Sequence, residues 1–170
     1  MDSAAIAATL ESLHPEPSLH LDLGLHEKFA PIFGKIGGPL VPVFMPRIAQ
    51  DKLLESSVPW FLEAREKAFG MSLNQLEQMR GGEPAWAAAR PGFEELAQFL
   101  TEHKQDDGPY VLGSQVSYVD FVIVSMIEAF RRIGTDLYER SDLCKQSPSH
   151  AMTPTTAKNH LLTPGQVCFA

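Results

Sequence analysis

The chain opens Asp2-Ser3-Ala4-Ala5-Ile6, which places a carboxylate and a hydroxyl where a helix has to begin. The first turn of a helix carries unpartnered backbone N–H groups and the positive end of the dipole. With the Ser3 hydroxyl added, that spot can hold a carboxylate or phosphate. Asp2 beside it suits an ammonium group, so the pair fits a zwitterionic amino-acid head; the same two residues also make an ordinary N-cap. Other chemistry finds less support. His14, His20, His26, His103, His150 and His160 include no pair spaced as metal ligands on a helix face, and no zinc or other metal site is expected. Gly34, Gly37 and Gly38 lack the Lys-Ser/Thr that would make a phosphate loop. Cys144 and Cys168 both lie near the C-terminus, in a stretch without helical period, and suggest neither a disulfide framework nor thiol chemistry.

A second cluster of polar residues has a structural purpose. In Val116-Ser117-Tyr118-Val119-Asp120-Phe121, Ser117 can cap the N–H of Asp120 while the Asp120 carboxylate reaches back to the N–H of Ser117, a reciprocal capping box. Val116 before the cap and Phe121 at the fourth helical position can form a hydrophobic staple. From Tyr118 to Ile127 only Asp120 and Ser125 are polar, so this helix is expected to be central in a bundle, with Gly134 at its C-terminus. Tyr118, Met126 and Phe130 on it are read as core side chains.

The remaining elements are helical. A first helix carries Ile6, Leu10 and Leu13 and stops before Pro15. After a polar connection over 14–24, apolar residues step by three or four from Leu25 into the forties. Pro31, Pro39, Pro42 and Pro46 there predict a bent or broken helix. Ser56 or Ser57 caps a helix with Trp60, Phe61, Ala64, Ala68 and Phe69 as its stripe and Gly70 as its stop. Ser72 and Gln75 make another capping box, and Glu83 to about Lys104 reads as helix with an expected break at Pro91-Gly92. Tyr110-Val111-Leu112 is too short for a strand assignment. No segment alternates with period two, so the fold class is all-α. Beyond Arg140 the Ser, Thr and Pro content predicts a disordered tail.

At 170 residues the prior is one domain, and a net charge of −7 argues against nucleic acid or an anionic membrane as partner. The N-terminus has no targeting character and no apolar run looks long enough for a bilayer, so the default compartment is the cytosol.

The run from Asp2 to Glu11 with His14-Pro15 resembles the glutathione transferase family at the point where its thioredoxin-like half ends. Gly113 to Asp120 resembles the same family's capping box and staple in the core helix of its all-α C-terminal domain. Pro46-Arg47-Ile48, Glu63 to Gly70 and Gly108 to Gly113 are similar to a fungal, β-etherase-like branch. The resemblance implies residues 1–15 as the third helix of a thioredoxin-like domain, 24–140 as the helical C-terminal domain and 141–170 as tail. It assigns Asp2 and Ser3 to the γ-glutamyl group of glutathione, the co-substrate, and implies a hydrophobic electrophile as second ligand, with a homodimer among the partners it allows. The family's thiolate-stabilising Ser, Cys or Tyr is expected upstream of Met1, and its final helices have no counterpart in the tail. A thiol with a pKa of about 8.5 must be ionised to attack an electrophile. The chain is therefore expected to be a truncated relative, weakly active or inactive. The alternative is a non-catalytic helical module that binds a protein partner.

Overall fold

The computed structural model describes residues 3–141. Asp2, His150, His160, both cysteines and all of the tail expected to be disordered except Ser141 lie outside the described residues.

Among the described residues seven α-helices make up the fold: α1 (Ser3–Leu13), α2 (Leu25–Asp51), α3 (Val58–Phe69), α4 (Leu73–Arg80), α5 (Gly82–Glu102), α6 (Tyr118–Ile133) and α7 (Thr135–Arg140). Among the described residues β structure is limited to one bridge, between Tyr110 and Gly113. The architecture is all-α, a bundle of helices around one principal core.

The spine is α2, which runs unbroken for 27 residues through Pro31, Pro39, Pro42 and Pro46. Of the bent or broken helix expected, this corrects the broken alternative. Each proline removes one donor, but Phe29, Ile32, Ile36, Leu40 and Val43 form a buried stripe whose packing outweighs the lost hydrogen bonds. By length and composition α2 could cross a bilayer, which also departs from the sequence reading. Its buried stripe against α5 makes it a core helix instead.

Helix α5 is likewise continuous through Pro91-Gly92. That dipeptide marks a crossing rather than a break. A Cβ on Gly92 would sit 2.8 Å from Ile36 Cγ1 and 2.9 Å from the Ile36 backbone nitrogen, so only glycine lets α2 and α5 come this close. Lys35 and Glu95 pair beside the crossing at 2.5 Å. Aromatic rings fill the layer around it: Phe29 against Phe99 at 5.8 Å, Phe44 against Phe130 at 4.7 Å, and Trp86 stacked on Phe93 at 6.2 Å.

Helices α3 and α4 close a smaller cluster of Ala49, Phe61, Leu73 and Leu76 over the C-terminal half of α2. Gly70 ends α3 with φ 70°, and Ser72 with Gln75 forms the capping box of α4. Trp60, assigned to the apolar stripe of α3, is instead 71% exposed, and its neighbour Phe61 faces the cluster.

Helix α6 buries one stripe, Val119, Ile123, Met126 and Phe130, so Met126 and Phe130 are core as expected. Its opposite face is open, with Phe121 55% exposed. The expectation of a helix surrounded on all sides is thus corrected: an apolar composition all round conceals which stripe the fold covers. Gly134 ends α6 in an extended conformation and α7 follows at once, a short helix with no apolar period of its own to reveal it.

Candidate functional site

Ser3 is exposed at the first turn of α1. Of the residues of α1 only Ala7 is buried; Ile6, Leu10 and Leu13 are exposed. What ties this helix to the chain beyond it is Glu11. Its carboxylate accepts the Ser18 hydroxyl at 2.6 Å and the Leu19 N–H at 3.0 and 2.9 Å, one to each oxygen. The Ser18 hydroxyl bond, followed by that from Leu19, holds the Glu11 carboxyl below its ordinary range. Ser18 Oγ in turn accepts the N–H of His20, a residue in the left-handed region at φ 51°.

The linker then meets α6. The carbonyl of Leu19 accepts the N–H of Tyr118 at 2.8 Å, and the Tyr118 ring stands edge-on to His26 of α2 at 5.3 Å. Tyr118, read from sequence as core, is half-buried at this junction. Three chain segments therefore converge on the N-terminus of α6.

That N-terminus is built by Asp120. The residue is 5% exposed; Oδ2 accepts the Ser117 N–H at 2.8 Å and the Ser117 hydroxyl at 2.6 Å, and Oδ1 accepts the Val111 N–H at 2.8 Å. Ser117 and Asp120 form the capping box, and the carboxylate additionally stitches the 103–117 loop to the helix. Gly113 has φ 98°, and a Cβ there would lie 2.2 Å from Asp106 Oδ1, so the loop requires glycine. Asp106 accepts the Gly108 N–H at 2.8 Å and the Ser114 hydroxyl at 3.0 Å; the Gly108 bond above all lowers its pKa.

On the open side of α6, Tyr110, Val116, Phe121, Val124 and Ser125 line a cavity of about 340 Å³, edged by Asp120 and Glu128. Val116 and Phe121 thus share a surface groove rather than the core. Glu128 is held by Arg131 and then Arg132, which lower its pKa to about 2. Among the described residues no cluster of His, Cys, Asp and Glu could hold a metal.

The structure places Ser3 at one end of α1, and Ser117, Asp120, Val116 and Phe121 around the start of α6. They do not converge on one pocket. What joins the two places is Glu11 and Leu19, which sequence reasoning missed: an acid followed seven and eight residues later by Ser and Leu across a proline-containing connection matches no recurrent motif.

Comparison with known proteins is consistent with this arrangement. Residues 24–146 match the family described as glutathione S-transferase, C-terminal domain. The chain is 25% identical over 147 residues to the glutathione S-transferase-like protein ustS of Aspergillus flavus, covering 81% of this chain and 52% of that protein. It thus spans about half the length of this curated relative. A crystal structure of a glutathione S-transferase of Ceriporiopsis subvermispora in complex with glutathione superposes with a TM-score of 0.68 at 27% identity, over 91% of this chain and 68% of the other.

Proposed function

We propose a function that starts from one premise: this chain belongs to the glutathione S-transferase family through its C-terminal domain. In that reading residues 1–15 contribute the γ-glutamyl-binding helix, with Asp2 and Ser3 holding the amino-acid head of glutathione. Residues 24–140 form the helical body against which a hydrophobic electrophile is held. Residues 141–170 are a tail, and the protein works in the cytosol.

The observation that carries the reading is the solved relative with glutathione bound, whose fold this chain shares over 91% of its length. The exposed Ser3 at the start of α1 agrees with it, since the positive dipole end of a helix favours a carboxylate ligand. The reaction of such a site is attack of the glutathione sulfur on an electrophile, by conjugation or by cleavage. By resemblance the residue that ionises the thiol belongs to the thioredoxin-like half, so this chain alone is proposed to be weakly active or inactive. The experiment is thermal unfolding with and without glutathione, for the wild type and Ser3→Ala. A ligand bound only by the folded chain raises stability by about 2.7 kcal/mol at a hundredfold excess over Kd. The wild type should shift upward and Ser3→Ala much less; no shift in the wild type rejects the reading.

A second reading, a non-catalytic module that binds a protein partner, is favoured by the exposed Ile6, Leu10 and Leu13 of α1 and by Phe121 in its groove. Light scattering after size exclusion tests it: a monomer of 18.8 kDa that associates with no partner speaks against the second reading, and glutathione-dependent thermal stabilisation speaks for the first.

A further inference from the structure

We infer that Glu11 is a positioning residue: its grip on Ser18 and Leu19 fixes α1, and with it Ser3, relative to the N-terminus of α6. The inference rests on the proposed role of α1 in binding glutathione, but its first measurement does not.

Leu19 is the bridge. Its N–H is held by both oxygens of Glu11, and its carbonyl accepts the N–H of Tyr118, the first residue of α6. One linker residue therefore bonds two helices at once. On the α6 side the anchor is rigid, because the preceding Ser117 and the following Asp120 are buried in their mutual hydrogen bonds. On the α1 side the Ser18 hydroxyl adds a second arm, itself oriented by the His20 N–H.

Apolar packing holds α1 far less. Its large side chains Ile6, Leu10 and Leu13 are exposed, and a helix of 11 residues is marginal unless something fixes it. Glu11 acts near one end and Ser3 lies eight residues away, roughly 12 Å along the axis. A tilt of about 10° at the latch would move Ser3 by about 2 Å, well beyond the tolerance of roughly 0.5 Å of a precisely held ligand group. A carboxylate suits this task because the latch needs only acceptors: three donor contacts converge on two oxygens. A glutamine keeps one acceptor oxygen and turns an N–H2 toward the Leu19 N–H, so it should hold less well, and an alanine not at all.

The test is hydrogen exchange read by mass spectrometry on the full chain, for the wild type, Glu11→Ala, Glu11→Gln and Ser18→Ala. In Glu11→Ala, exchange in α1 and the 18–24 linker should rise on the order of tenfold while α2 and α5 keep their protection. Glu11→Gln and Ser18→Ala should fall between it and the wild type. Unchanged exchange in α1 overturns the latch. So does a loss of protection spread through α2 and α5, which would make Glu11 a general stabiliser. Calorimetric titration with glutathione is the second arm: affinity should fall about tenfold in Glu11→Ala and be partly restored in Glu11→Gln. Equal affinities in all variants overturn the positioning role. A wild type that binds no glutathione removes the functional reading, and the exchange data alone then decide the latch.

Discussion

Two carboxylates show how differently the same group behaves in water and in the core. Asp120, buried with its oxygens taking three donors, is integral to the fold. Asp120→Ala leaves the Ser117 and Val111 N–H groups without their partner, and chemical denaturation should show a loss of about 3 kcal/mol; Asp120→Asn, which keeps one acceptor, should lose less. Glu128 is a partly exposed surface acid between two arginines, its pKa lowered from 4.5 to about 2 by Arg131 first and Arg132 second. A depressed folded pKa stabilises the protein above the unfolded value, and that contribution fades as pH falls from 4.5 toward about 2. Glu128→Gln should therefore differ slightly from the wild type at neutral pH and converge with it near pH 2. Because both arginines are exposed and Glu128 lies at the surface, about 0.5 M salt should erase most of the difference, and a difference that persists in salt would contradict this account. At this scale Ser117 and Asp120 were readable because capping partners are three residues apart. Glu11, Ser18 and Tyr118 were not, because their contacts depend on how a linker folds back.

Among the helices, the crossing of α2 and α5 governs the packing. Gly92→Ala forces a methyl against Ile36, and since the nearest atoms include backbone the helices have to separate. The expected loss is about 1–3 kcal/mol in a denaturant melt. A neutral result would show that the two helices can slide apart without cost. The sequence reading took Pro91-Gly92 as a break because both residues are poor helix formers in isolation. Inside the bundle the same glycine is the contact surface. The prolines of α2 follow the same rule, since local propensity argues for interruption and the buried stripe from Phe29 to Val43 keeps the helix in one piece. Stops and starts were more readable: Gly70, the Ser72 and Gln75 box and Gly134 act locally, on backbone groups within a few residues.

For the whole molecule, the proposed division of labour predicts that a polypeptide of residues 1–170 by itself conjugates glutathione to a generic aryl halide far more slowly than a relative with a thioredoxin-like half assayed in parallel. Comparable turnover would mean that this chain stabilises the thiolate by groups of its own. The all-α class and the order of most helices were legible in the sequence because helical periodicity and capping are written in neighbouring residues. The same local record carried the family resemblance and singled out Asp2 and Ser3. What only the tertiary structure decided was where surfaces meet: that α6 leaves Phe121 facing a groove, that Trp60 lies outside while Phe61 lies inside, and that Leu19 joins α1 to α6. Those outcomes depend on contacts between residues far apart along the chain, and no short-range pattern of residue types specifies which of several apolar faces will be covered.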